Sequence, residues 1–255
     1  MFPFTTLVRH DLAADITVMR VSGPLNLRNG VQLRSALLKC VSECPTAVVV
    51  DVSECVPETP ALLSVFPTVA RTHGQPQVAI ILCGADQEFR RGGTAALGPI
   101  RAYQDCADAM AAAADVRLRQ PRVSIHLLRS VSAPGRARNV VDQACDTWGL
   151  VDLKTSALLI ISELVTNAVR HAAGDIDVEA VLREDFLHLR VSDGSTAPPA
   201  MVTSPDGRNL RECGRGLQII ERYCTGWGFV LNPSGTGKVV WATLRAAPPG
   251  AKRSR

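Results

Sequence analysis

Glu163, Asn167 and His171 stand four residues apart between Ser162 and Ala172, so on a helix they line one edge. A carboxylate and an amide oxygen in such a row suit a hard cation and a reacting hydroxyl better than they suit an apolar core. Downstream, Cys213-Gly214-Arg215-Gly216-Leu217 opens into a run that reads as helix through Tyr223. A glycine-rich turn at a helix start lets backbone N–H groups approach phosphate oxygens with no Cβ in the way, and the helix dipole adds to the attraction. Between these, Asp193 closes a β-type run and precedes Gly194-Ser195, where its carboxylate is free to accept a hydrogen bond from a base. Near the end, Gly235-Thr236-Gly237-Lys238 leads into a last apolar strand.

Each residue also has a plainer reading. Glu163 and Asn167 could be solvated helix positions, Asp193 a turn former, Arg215 a surface cation, and the Gly214 and Gly216 pair a simple helix entry. His171 reads as a helix-end residue in a supporting position. Trp148, Trp227 and Trp241 read as core.

The elements that would position this set follow from hydrophobic spacing. Val140 to Trp148 reads as a helix ending at Gly149, and Asp152 caps another that runs to Ala173 and stops at Gly174. In the second, Leu158, Ile161, Leu164, Val165, Ala168 and Ala172 share the core side, with Glu163 and Asn167 on an adjoining polar edge. Ile176 to Leu182 and Phe186 to Val191 read as a hairpin about Arg183-Glu184-Asp185, and Val239 to Leu244 as the last strand. The loop from Thr196 to Arg211 is polar and Pro-containing.

The first half has a different order. Ile16 to Val21 reads as a strand, Gly30 to Ser42 as a helix, Ala47 to Val52 as a buried strand, Pro60 to His73 as a helix and Val78 to Cys83 as another buried strand. Asp86 to Ala114 reads as helical with a break at Gly98-Pro99. The stretch Val116 to Arg122 is polar and contains Pro121, and it is expected to join the two halves.

Composition narrows the field. The 255 residues suffice for two domains, and 46% hydrophobic content suffices for their cores. A formal net charge of +4, much of it in Lys252, Arg253 and Arg255, does not make a nucleic-acid footprint. No apolar run approaches the roughly 18 residues of a membrane helix, and Met1 to Phe4 does not open a signal peptide, so a cytoplasmic location is expected. The eight cysteines lie in apolar contexts without Cys-x-x-Cys spacing, and are expected to be reduced, buried and small.

The strand and helix order of residues 5 to 114, with Gly23-Pro24-Leu25-Asn26 after the first strand and Asp51-Val52-Ser53 in the central one, resembles the STAS domain of anti-sigma factor antagonists. That family carries a phosphorylated serine after the central strand. Here Glu58-Thr59 stands nearest, and with Pro60 following, Thr59 reads as a helix cap rather than a phosphosite. From Leu127 to Ala246, the helix row, Asp193 and the glycine turn resemble the GHKL (HATPase_c) fold with its Bergerat nucleotide site, in the branch of anti-sigma factor serine kinases.

The fold class expected is therefore α/β in two domains, a STAS-like sandwich over 1–115 and an ATP-binding GHKL sandwich over 123–246, joined by a linker at 116–122 and followed by a basic tail, 247–255. By the resemblance Asn167 binds Mg²⁺ on the phosphates, Glu163 is the general base, Asp193 takes the adenine amino group, and Gly214, Arg215, Gly216, Leu217 and Gly237 line the nucleotide. Two departures stand out: the usual Asp-x-Gly-x-Gly is Asp193-Gly194-Ser195, and the last motif has Gly237-Lys238, whose lysine would face solvent or phosphate. The cofactors implied are ATP and Mg²⁺. The activity implied is a serine/threonine kinase acting on an antagonist protein, or else an ATP-dependent module that holds a sigma factor or antagonist without phosphoryl transfer. Fusion of the halves suggests that the STAS-like half docks on its own kinase half, and a homodimer is a further arrangement.

Overall fold

A computed structural model describes residues 3–71, 78–171, 174–199, 220–232 and 235–246. The chain divides into two compact units, Met1–Arg119 and Gln120–Arg255. Each is an α/β unit with one five-stranded sheet, ordered β1-β2-β3-β4-β5 in the first and β6-β7-β8-β10-β9 in the second.

In the first unit, β1 (Thr5–Asp11) pairs antiparallel with β2 (Ile16–Leu25), and β3 (Ala47–Pro57), β4 (Ala79–Cys83) and the short β5 (Arg101–Ala102) continue in parallel. The run Ala47–Val52 is buried throughout, as a central strand covered on both faces must be. Val48 and Val50 join the cluster of Leu33, Leu37 and Phe66 from α1 (Leu27–Ser42) and α2 (Val65–Arg71). Ala47 and Val49, pointing the other way, meet Ala109 and Ala113 of α4 (Cys106–Arg119).

Several elements differ from expectation. Helix α1 begins at Leu27, not Gly30, because Asn26 and Asn29 form a reciprocal cap: the Asn26 side chain accepts from Arg28 and Asn29 N–H, and the Asn29 side chain accepts from Asn26 N–H at 2.8 Å. The expected helix from Pro60 is a 3₁₀ turn, Pro60–Ser64, followed by α2. Thr59 occupies the cap position of that turn, yet its hydroxyl makes no capping bond and the residue is exposed. The run from Asp86 breaks near Gly98-Pro99 as anticipated, into α3 (Gln87–Leu97) and α4, with β5 between them. Helix α4 does not stop near Ala114 but continues to Arg119, held by the Arg119–Asp115 pair and by Arg117 donating to the Ala13 carbonyl. The polar stretch 116–122 is thus a helix end and a strand start rather than a loop.

The cysteines divide. Cys40, Cys44, Cys55 and Cys145 are outside any disulfide and buried, as expected, and burial, with the Glu43 charge beside it, pushes the Cys40 thiol up to about 12. Cys83 and Cys106, expected to be reduced, are instead joined in a disulfide. Their sulfurs lie within 4.8 Å of an Asp51 carboxylate oxygen. Being bonded to each other, they are not free thiolates for a metal. Cys213 lies outside the described residues.

In the second unit, β6 (Arg122–Leu127), β7 (Ile176–Arg183), β8 (Phe186–Asp193), β9 (Gly226–Leu231) and β10 (Lys238–Arg245) are paired antiparallel throughout. One face carries α5 (Ala133–Thr147) and α6 (Val151–His171). Helix α5 starts at Ala133 rather than Val140, with Pro134 in its first turn and Ala133 and Ala137 fully buried. It ends in a Schellman motif: Gly149 has φ +69°, its N–H donates to Asp146 O, and Leu150 N–H donates to Cys145 O. That turn sends the chain back as α6 at once, so the two helices pack antiparallel.

On β8, Leu187, Leu189 and Val191 face the helices, and His188 and Arg190 therefore face the other way. His188 is fully buried and neither ring nitrogen has a partner among the described residues. Burial, with Arg183 and Arg190 adding to it, holds its pKa well below the ordinary 6.5. Above pH 6.5 the imidazole is neutral folded or unfolded and costs nothing; as pH falls below 6.5 only the unfolded chain takes the proton, and stability is lost. The expected slope is about 1.4 kcal/mol per pH unit below that point. Urea titrations between pH 7 and 5 check it, with His188→Leu losing that share of the slope.

Candidate functional site

Helix α6 supplies the first wall. Its buried side is Ala157, Ile160, Ile161, Leu164, Val165 and Ala168. Glu163 and Asn167 fall beside that stripe and are half-buried, whereas His171 ends the helix exposed. Neither the Glu163 nor the Asn167 side chain bonds to another described residue. A carboxylate and an amide held part-way out of water with no partner among the described residues have capacity for a cation or a hydroxyl. Around them the helix is tied down: Arg138 Nη1 on α5 donates to Ser162 Oγ at 3.1 Å, that hydroxyl donates to Leu158 O, and Arg129 Nε donates to Val169 O at 2.8 Å. Sequence spacing marked α6; Arg138 and Arg129 escaped notice because their partners are reached only through the packing of α5 and the β6–α5 turn.

Asp193 ends β8, and α6 packs against both β8 and β10. Its Oδ1 accepts from Ser195 N–H at 2.8 Å and from Lys238 Nζ at 2.8 Å. The lysine also donates to Ser195 O at 3.2 Å. Lys238, expected to face solvent or phosphate, is therefore a buried counter-ion; the two side chains are only 6% and 3% exposed. The β8–β10 register places Lys238 opposite Asp193 and brings them together. Ser195, where the usual motif has glycine, contributes its backbone, which any residue could do.

Gly237 sits at the same edge. Its φ is +132°, and a Cβ there would overlap the Asp193 carbonyl oxygen, so only glycine lets β10 close on β8. Gly237→Ala is expected to cost about 2 kcal/mol or more, from strain and the shift of β10, read as a lower urea midpoint at unchanged m-value. Gly214, Arg215, Gly216 and Leu217 lie outside the described residues, as does most of the loop that precedes them.

The described geometry thus offers a half-buried acid and amide on one helix and an oriented carboxylate at the end of an adjacent strand. Residues 130–244 match the family described as histidine kinase-like ATPase domain. That match lies wholly within the second unit, Gln120–Arg255. No functionally curated protein matches the chain in sequence. Among solved structures, the RsbU and RsbW domains of a Mycobacterium tuberculosis protein are similar at 22% identity and TM-score 0.39, over 51% of this chain and 33% of that one. An anti-sigma factor antagonist from Mycobacterium paratuberculosis is similar at 21% identity and TM-score 0.37, over 44% of this chain and 94% of that one. An RsbS variant from Moorella thermoacetica is similar at 13% identity and TM-score 0.38, over 44% and 97% respectively. This chain therefore spans about a third of the first of these structures. The two-unit α/β architecture is the fold class expected. No described helix is long and apolar enough to cross a membrane.

Proposed function

We propose that the second unit binds Mg·ATP and transfers its γ-phosphate to a serine or threonine hydroxyl of a STAS-type antagonist protein, so that the chain works as an anti-sigma regulatory kinase in the cytoplasm. The observation that carries this reading is the half-buried pair Glu163 and Asn167 on one edge of α6, whose side chains have no partner among the described residues, inside the stretch that matches the histidine kinase-like ATPase domain family.

The donor set fits magnesium, which takes oxygen ligands and keeps several waters, so one amide oxygen from Asn167 beside the nucleotide phosphates is a sufficient protein share. When bound, the metal supplies positive charge against the negative charge of the transferring group. Glu163 accepts the proton of the attacking hydroxyl at its carboxylate. Asp193 keeps Oδ2 for the adenine amino group, its Oδ1 being engaged by Ser195 and Lys238. Gly214 to Leu217 are assigned the phosphates by the resemblance alone.

The test is incubation of the full chain with γ-labelled ATP, alone and with a STAS-domain antagonist. Label on a serine or threonine of the partner, absent in Glu163→Gln and Asn167→Ala, is the expected result. ATP binding with no label anywhere would replace the kinase with a module that holds a sigma factor or antagonist by binding only. No ATP binding would remove both readings. Label on Thr59 in the chain alone would make the exposed hydroxyl after β3 an internal acceptor.

A further inference from the structure

Cys83 is the last residue of β4 and Cys106 the first of α4, and a disulfide joins them across 23 residues. Cys83 is 1% exposed, whereas Cys106 is half-buried and reachable from solvent. Asp105, just before it, accepts from Ala107 N–H at its carboxylate and from Ala109 N–H at its carbonyl, so Cys106 stands at a formed helix N-terminus. A sulfur at that end is favoured as a thiolate by the dipole.

At the end of the helix that the bond secures, packing on the sheet is light; the polar ties, Arg117 to the Ala13 carbonyl and Arg119 to Asp115, lie at its far end. Ala109 and Ala113 are its only described buried side chains, with Met110 and Ala112 packed part-buried against the same cluster as Val49 and Ile81. By contrast, α6 buries leucine, isoleucine and valine side chains. Beneath the disulfide the sheet end is rigid. Asp51 Oδ1 accepts from Ser53 N–H and Oγ, Asp51 Oδ2 accepts from Arg20 Nε at 3.0 Å, and Gly84 at φ +71° passes so close to Ser53 that a side chain there would clash. The bond therefore joins a weakly packed helix to a fixed strand end. Helix α4 is also the element from which the chain leaves the first unit, since β6 begins three residues after Arg119.

We propose that Cys83 and Cys106 form a thiol–disulfide exchange site that sets how firmly α4 is held on its sheet, with a glutathione-class thiol as the reductant. In reduction a glutathione thiolate attacks the accessible Cys106 sulfur, the Cys83–Cys106 bond breaks, and Cys83 leaves and takes a proton from solvent. A second glutathione thiolate attacks the glutathione sulfur of the mixed disulfide and releases Cys106. Two thiols are oxidised to one glutathione disulfide, and one protein disulfide is reduced to two thiols. Attack from the Cys83 side is blocked by burial, so Cys106 is the entry point.

The test equilibrates the full chain at fixed ratios of reduced to oxidised glutathione, quenches with acid and alkylates under denaturing conditions. The chain has eight cysteines, so oxidation of this pair leaves two of them unlabelled, and a digest yields a linked Cys83–Cys106 peptide. Amides of α4 are expected to exchange hydrogen about tenfold faster or more in the reduced chain, with α6 unchanged. Cys106→Ser should show the fast α4 exchange at every glutathione ratio. Should that variant fold poorly, the reduced wild-type chain carries the same comparison. Full labelling of Cys83 and Cys106 at every ratio, or a linked pair with unchanged α4 exchange, would overturn the proposal.

Discussion

Under the proposed function, Glu163→Gln is expected to retain ATP binding while phosphoryl transfer to the antagonist falls by about 10²–10⁴-fold, the share a positioned general base supplies. The amide keeps the shape and half-buried position of the side chain on α6 and removes only its capacity to take a proton. Asn167→Ala is expected to behave differently. Without the amide oxygen, metal-dependent nucleotide affinity drops by about 10–100-fold, and transfer is lost at ordinary ATP concentrations. Isothermal titration of ATP with and without Mg²⁺, beside a single-turnover transfer assay, separates the two effects. Equal loss of binding in both variants would place Glu163 among the ligands, not at the reacting hydroxyl. Both positions lie beside the buried stripe and not in it, so circular dichroism of the variants should match that of the parent.

Lys238→Met is expected to have the largest effect on stability. The substitution keeps most of the length of the side chain but leaves the Asp193 carboxylate, 3% exposed, with the Ser195 N–H as its partner among the described residues. Removing one partner of a buried ion pair typically costs about 3–5 kcal/mol, chiefly from the charge left behind. Asp193→Asn with Lys238→Met removes both charges and should recover much of that loss. A double-mutant cycle in urea, monitored for the second unit, reads the coupling directly. Additive losses in the two single variants would mean that the pair is solvent-screened, contrary to its burial. On the proposed function, the same pair bears on nucleotide recognition. By taking Oδ1, Lys238 and Ser195 orient the carboxylate, so a base amino group would meet Oδ2 in a fixed position.

Much of the fold could be read from the chain alone because one face of each element is buried. The spacing of Ile161, Leu164, Val165 and Ala168 marked the inner side of α6, and Glu163 and Asn167 appeared on its edge for the same reason. The apolar run Ala47–Val52 announced a strand covered on both sides. Four strands, β1, β5, β6 and β9, passed unseen. In β6, Val123, Ile125 and Leu127 alternate with polar residues over only six positions, beside a Pro and several charges that resemble a linker. In β1, an edge strand, exposed and half-buried residues alternate, and the apolar signal is diluted. Helix starts at Leu27 and Ala133 were missed by three and seven residues, because a capping pair and a buried alanine carry less hydrophobic signal than leucine.

Local periodicity and residue chemistry thus determined the two α/β halves, the polar edge of α6 and the candidacy of Asp193. Those features depend on neighbours within a turn or a strand, where geometry is nearly independent of the rest of the chain. Tertiary structure decided the partners. Lys238 meets Asp193 across 45 residues because β8 and β10 pair in one register, and Cys83 meets Cys106 because α4 returns over the end of β4. A charge or a thiol has no preferred partner in sequence. It acquires one only when the backbone brings two side chains within a few ångströms and excludes the water that would otherwise compete.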